Sequence, residues 1–525
     1  MPSKGVLNML IKVFLLLFFF SITIFVGIYF RKRAASVNDF VLGGRNVGPW
    51  LSAFSYGATY FSAVVFVGYA GQFGWRFGTA AVWIGLGNAF IGSMMAWFLL
   101  GRRTRIMTHH LKSATMPEFF GFRYMSNALK IAASFIVFIF MIPYTASLYN
   151  GLSRLFSMAF GVPFEYCIIA IGILTAIFVV AGGYFATVVN DFIQGTIMLI
   201  GITAIIAVVL NDNGGFITAI SSLAMVEGTN VKGVPVPGVF ASFFGPDPFS
   251  LLGVILLTSL GAWGLPQMVA RFYSIKSEKM ITKGAIVSTF FAIFIAGGSY
   301  FLGSFGRLYA HKNIYNDKGG VIFDAIIPEI LSGFSAVMIG LVIVLVFAAS
   351  ISTLSSLVMA SASTLTLDFL RGHVIKKMSD KKQLVIIRML IVVFIIISSV
   401  IAISVYKGGI TFIAQLMGIS WGALAGSFLA PFLYGLYWKR VSKISVWCCF
   451  IFSTVLMTLN VLFRSSFPAI LKSPINAGAF CMVVGLIIVP IVSLITKAPG
   501  KDVVEKCFSC YDEEVSVKVK DDLGN

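Results

Sequence analysis

Phe54-Ser55-Tyr56-Gly57-Ala58-Thr59-Tyr60-Phe61-Ser62-Ala63 lies inside an apolar run over 49–74. Hydroxyls and small residues at mid-membrane depth lower the cost of unwinding a helix. Unwound backbone survives in a membrane only where it faces protein or a water-filled cavity. A second run, 248–272, carries Thr258-Ser259-Leu260-Gly261-Ala262-Trp263-Gly264-Leu265-Pro266-Gln267, with two glycines and a proline inside it. The two stretches predict two broken transmembrane helices, placed to build a site near the bilayer midplane.

The rest of the chain supplies the membrane. Hydrophobic residues make up 58% of the 525 and charged residues 11%, against about 25% charged in an average soluble chain. Mean hydropathy is +0.95. Apolar runs between polar punctuation predict an all-α membrane protein of about thirteen spans. They lie near 8–30, 49–74, 79–101, 128–157, 164–182, 185–210, 248–272, 284–307, 332–366, 386–406, 410–437, 444–463 and 477–496. The first is read as a retained helix, because Arg31-Lys32-Arg33 follows it as a stop-transfer cluster and no small-residue cleavage site does. The broken spans 2 and 7 are five apart, as expected if 49–210 (spans 2–6) and 248–437 (spans 7–11) are inverted repeats. The other segments are 1–48, a helix and basic loop; 211–247, an outer loop; 438–496, two extra helices; and 497–525, a tail.

A net charge of +19 would suggest nucleic acid in a soluble chain. Here alternate loops divide the Lys and Arg residues 25 to 9, counting Arg307 at its span's end with the poorer side. That asymmetry is an orientation signal. It places the N-terminus outside and the C-terminus in the cytoplasm of a plasma-membrane protein, and it removes nucleic acid as a partner. His109 and His110 fall in a basic inner loop and read as solvated. Cys507-Phe508-Ser509-Cys510 has zinc-like spacing but no second pair.

Two further features carry chemistry. Asp191 is the one acid well inside a predicted span, and an intramembrane carboxylate costs about 2.5–3.5 kcal/mol on insertion scales, so it needs a partner. Ala349-Ser350-Ile351-Ser352-Thr353-Leu354-Ser355-Ser356 puts Ala349, Ser352, Thr353 and Ser356 on one helix face, with Ser355 at its edge. Such a face serves close helix packing or supplies the oxygens that a hard cation such as Na+ prefers.

Together these residues resemble the sodium/solute symporter family, which includes sodium/proline, sodium/galactose, sialic acid, pantothenate, iodide and monocarboxylate carriers. The resemblance covers roughly 36–440. It is anchored by Asn38-Asp39-Phe40, Gly43-Gly44-Arg45, the stretch Gly57 to Ser62, Gly182-Gly183-Tyr184-Phe185-Ala186, Gly264-Leu265-Pro266-Gln267 with Arg271-Phe272, and Ala349 to Ser356. It implies the inverted-repeat fold shared with the leucine transporter, and sodium-coupled symport of a small polar organic solute by alternating access. It also implies a common sodium site at the carbonyls of Ala58, Phe61 and Ala349 and the hydroxyls of Ser352 and Thr353. Members resembling the sialic acid carrier add a second sodium, whose pattern Asp191, Ser355 and Ser356 match.

Where several members carry an acid or amide, this chain has Tyr60, and the sugar carrier's glutamine position falls on Val65. That argues against a sugar. Ala58 to Ala63 resembles the iodide and monocarboxylate branch and Gly264 with Pro266 the proline branch, so the resemblance implies an amino acid or carboxylate without choosing between them. Ser62, Val65, Trp263 and Gln267 are the side chains expected nearest the solute, between the two breaks. The expected partners are the solute, sodium and the lipid bilayer around a monomeric transport unit. An ion- or solute-sensing receptor or channel on the same scaffold is the rival reading. No span shows the continuous polar stripe of a pore, and no span combines a nucleophile, a base and metal ligands as an enzyme would.

Overall fold

The computed structural model describes residues 4–310, 314–316, 319–375, 378–407 and 413–511. The first three residues of the predicted 410–437 span, and 512–525 of the tail, lie outside them. Nearly all of the described chain is helical, with isolated bridges in place of strands.

By length and hydropathy ten helices can cross a membrane, or eleven if the bent pair Pro248–Gly264 and Pro266–Ser274 is one span. The sequence reading has thirteen. The difference lies where helix continues through predicted boundaries. Phe164–Asp212 runs 49 residues and contains two of the predicted spans. At about 1.5 Å per residue it extends roughly 74 Å, against a hydrocarbon core of about 30 Å. Its helical geometry is interrupted at Gly183, with φ 60° and ψ −164°, a conformation open essentially to glycine alone. Val64–His110 likewise joins the second half of predicted span 2 to span 3.

Both predicted breaks are present. Pro49–Tyr60 stops at Phe61, whose backbone is extended at φ −105° and ψ 96°, and helix resumes at Val64. Pro248–Gly264 stops at Leu265, also extended, and Pro266–Ser274 leaves at 47°. Pro266 accounts for the second break. Its ring disfavours the helical region for Leu265, while its missing N–H costs nothing at the first position of the new helix. Gly264 permits close packing there, since a Cβ would stand 2.7 Å from the Ala425 Cα.

Two long helices hold the breaks in place. Ile413–Tyr437 packs against Pro248–Gly264, Asn127–Phe160, Lys443–Leu462 and Pro474–Ile495. The serine-rich helix Ala336–Thr364 packs against Phe164–Asp212, Asn127–Phe160, Lys4–Phe30 and Pro49–Tyr60. Its hydrogen bonds run on through Leu365–Val374, which carries a second deeply buried acid, Asp368, bonded to the Thr115 hydroxyl at 2.7 Å. The predicted span ends at 366, which leaves Asp368 outside it and Asp191 as the one acid well inside a predicted span.

The helix Lys501–Phe508 folds back onto the basic loop. His110 Nε2 meets the Lys506 carbonyl at 2.7 Å, and Tyr511 donates to the Arg103 carbonyl at 3.1 Å. The Arg103 guanidinium lies over the rings of Tyr437 at 4.3 Å and Tyr511 at 4.5 Å. His109 is half-buried with Nε2 enclosed, so this histidine is not solvated. Cys507 is buried under the same helix, with Sγ 3.9 Å from the Phe122 carbonyl.

Candidate functional site

The site begins where Pro49–Tyr60 ends. The last carbonyls of a helix have no partner within it, and they form the negative end of its dipole. Here they face the serine-rich helix. The Thr353 hydroxyl lies 3.0 Å from the Thr59 carbonyl, 3.5 Å from that of Ala58 and 3.2 Å from that of Ala349. Ser352 is buried beside it, and its Oγ has no hydrogen-bond partner among the described residues. The break in span 2 thus brings Ala58, Ala349, Ser352 and Thr353 together. Phe61 joins Ala349 along one small cavity. Converging carbonyls and a buried, unengaged hydroxyl are the donor set that a desolvated Na+ takes.

Most of the remaining serines of that helix bond backward. Ser350 donates to the Val346 carbonyl and Ser355 to that of Ile351, both at 2.6 Å. Ser356 donates to the Ser352 carbonyl at 3.1 Å and lies 3.3 Å from the Thr59 hydroxyl.

Asp191 reaches the same place from the kinked helix Phe164–Asp212 and is fully buried. Its Oδ2 accepts a hydrogen bond from Ser55 and an ion pair from Arg271 Nη2 at 3.3 Å. The same nitrogen donates to Thr59 Oγ1 at 2.7 Å and to Ser356 Oγ. Arg271 belongs to Pro266–Ser274, beyond the second break, and its guanidinium lies 5.0 Å from the centre of the Tyr184 ring. The structure therefore gathers Asp191, Ser356 and Thr59 around one arginine, while Ser355 turns to its own helix. The sequence reading used Arg271 only as a motif position. The signal was available, since a cation within a span needs a partner as an acid does.

The four expected solute contacts divide. Ser62 and Val65 line that small cavity. Gln267 lines another, with Thr115, Tyr184, Thr187, Arg271 and Ser356. Trp263 lines neither, and its Nε1 donates to the Ile91 carbonyl at 3.0 Å. The space between the breaks is filled by rings. Tyr60 donates to the Thr258 carbonyl across it. Its ring stacks on Phe61 at 4.4 Å and on Trp421 at 6.1 Å, and Trp421 meets Tyr144 edge-on at 5.9 Å. Tyr144 and Trp421 were not among the expected contacts, because an aromatic residue in an apolar helix looks like ordinary packing.

A family model described as the sodium:solute symporter family matches residues 40–451. The osmoregulated proline transporter OpuE of Bacillus subtilis is 28% identical over 486 residues, 92% of this chain and 94% of the relative. Sodium/proline symporter 2 of Staphylococcus saprophyticus is 29% identical over 440 residues, 82% of each chain. Among solved structures, a Na+-coupled sialic acid symporter, in a substrate-bound outward-open state described as revealing a novel Na+ site, aligns with a TM-score of 0.72. It is 18% identical and covers 94% of this chain and 99% of its own.

Proposed function

The chain belongs to the sodium:solute symporter family, and from that premise we propose that it imports a small amino acid or carboxylate with sodium bound at Ala58, Phe61, Ala349, Ser352 and Thr353. It is a multi-pass membrane transporter of the leucine-transporter fold class, coupled to Na+. The proline relatives favour an amino acid within that class. The observation that carries the site is the Thr353 hydroxyl set between two carbonyls at the end of a broken helix and the Ala349 carbonyl of its own helix.

The solute is gripped between the breaks in this reading. Tyr60, Phe61, Tyr144 and Trp421 close that space, with Ser62 and Val65 below them, and parting of the Tyr60–Thr258 contact admits the solute. Trp263 and Gln267 stand on either side of the second break, where rotation about Leu265 brings Gln267 toward it. The repeats are 49–210 and 248–437, moving against one another in a monomeric unit surrounded by lipid. The chain sits in the plasma membrane with its N-terminus outside and its tail in the cytoplasm. Asp191, Ser355 and Ser356 serve a second sodium.

Energetics decide what the ion count means. At ~100 mV inside-negative, one entering charge supplies about 2.3 kcal/mol, and a tenfold sodium gradient adds about 1.4. Their sum supports roughly 500-fold accumulation of a neutral solute per sodium, and a second sodium squares the ratio. The test is uptake into proteoliposomes with and without a sodium gradient, screened over amino acids, monocarboxylates and sialic acid. Sodium-driven accumulation of an amino acid is expected. Accumulation that ignores the sodium gradient would end the proposal.

A further inference from the structure

Arg271 is not a ligand of the proposed sodium site, yet it stands at its edge in an unusual geometry. Arginine usually meets a carboxylate as a fork, two nitrogens on two oxygens. Here Nη2 alone serves Asp191 Oδ2, Thr59 Oγ1 and Ser356 Oγ. That nitrogen has two hydrogens for three acceptors. Meanwhile Arg271 Nε and Asp191 Oδ1 are buried with no hydrogen-bond partner among the described residues. Oxygens crowded around one point suit a spherical ion better than a planar guanidinium. Two of them, from Asp191 and Ser356, are the oxygens assigned above to a second sodium.

The arginine also has somewhere to go. It is carried on the nine-residue helix Pro266–Ser274, six positions beyond an extended hinge at Leu265. A small cavity adjoins it, lined by Tyr184 and by Gln267, whose Oε1 is buried and unbonded among the described residues. The Tyr184 ring can hold a guanidinium that has left the carboxylate.

We propose that Arg271 is a tethered cation competing with sodium for Asp191: the guanidinium occupies the second cation position in the structure, and sodium enters it only when the Pro266–Ser274 helix withdraws the arginine toward Tyr184. This rests on the reading of Asp191, Ser355 and Ser356 as a second sodium position. It makes occupancy there depend on the conformation of a broken helix, which couples ion and helix directly. Arg271 is a positioning residue in this scheme. It keeps Asp191 neutralised between cycles, because a buried carboxylate left alone is strongly destabilising.

The test is equilibrium binding of radioactive sodium to the purified full chain without solute. The native protein should bind one sodium per chain at low concentration and a second at least tenfold more weakly. Arg271→Gln should tighten the second at least tenfold, giving two per chain. Adding Asp191→Asn to Arg271→Gln should abolish that gain, and this double variant carries no unpaired buried charge, so it controls for folding. If Arg271→Gln is unstable without sodium, its melting temperature should rise with sodium more steeply than the native protein's. Native count and affinity in Arg271→Gln, a gain that survives Asp191→Asn, or two tight sodium ions in the native protein would each overturn the proposal. Thr353→Val in the Arg271→Gln background separates the two readings. Loss of one sodium while the Asp191-dependent one remains upholds both; retention of both ions overturns the common site alone.

Discussion

Thr353→Val removes one oxygen from the proposed sodium site and leaves the side chain's shape almost unchanged. In the structure the hydroxyl has one hydrogen to share among the carbonyls of Thr59, Ala349 and Ala58, at 3.0, 3.2 and 3.5 Å. With sodium present the hydrogen can stay on the Ala349 carbonyl while a lone pair turns to the ion. Valine forfeits both roles. Loss of the neutral hydrogen bond costs about 1 kcal/mol net, and loss of a bond to a charged partner about 1.5–3. The first cost falls on the sodium-free and sodium-bound states alike, so the second, about 1.5–3 kcal/mol, is what sodium binding registers. That is a rise of about 10- to 150-fold in the sodium constant. Thr353→Ser keeps the oxygen and should stay within about threefold, equivalent to about 0.65 kcal/mol. Sodium dependence of uptake in proteoliposomes, with sodium-stabilised melting as a second readout, measures both variants. An unchanged constant in Thr353→Val refutes the site. Equal losses in the valine and serine variants would assign the effect to packing instead.

The remaining predictions concern the frame around the site. Gly183→Ala places a side chain where φ is 60° and ψ −164°, with its Cβ 2.9 Å from the Phe40 ring; the strain, of order 1–3 kcal/mol, should lower the melting temperature by about 1–3 °C, and a native melting curve would show that the kink is not enforced. The tail is held by Tyr511 on Arg103 and by Phe508 beneath Arg123 at 4.9 Å. Burial pushes the Cys507 thiol upward, so maleimide labelling at pH 8 should be slow in the native chain and gain rate as pH rises further. In Phe508→Ala/Tyr511→Ala labelling should be at least tenfold faster, and equal rates would mean that the tail is not docked on this face.

How much of this was legible depends on how local each cause is. The two breaks could be read because their causes are local: a proline that forbids helix at the residue before it, and a run of hydroxyl and small residues in an apolar span. The serine-rich face could be read because helical periodicity is local too. The kink at Gly183 fell within the Gly182-Gly183 motif, although the number of spans did not follow, since helical hydrogen bonding continues through positions where hydropathy dips. The pairing of Arg271 with Asp191 spans 80 residues and the Thr59–Ser356 contact 297, and no local pattern announces either. The same holds for Tyr60 on Thr258, 198 residues away, which closes the space where the solute was expected.

Hydrogen-bond satisfaction is the extreme case, because it exists only once distant groups have met. In folded proteins more than about 90% of buried polar groups find a partner. Ser352 Oγ, Asp191 Oδ1, Arg271 Nε, Gln267 Oε1 and both amide atoms of Gln194 do not find one among the described residues. Ser352, Asp191 and Arg271 belong to the group assembled between the two breaks, and Gln267 shares a cavity with Arg271. Leaving such a group without any partner would cost about 1–3 kcal/mol. An ion, water or another position of the Pro266–Ser274 helix supplies the partners that the protein side chains do not. Groups whose partners change with ion occupancy and helix position suit alternating access, which changes the surroundings of the region where ion and solute meet.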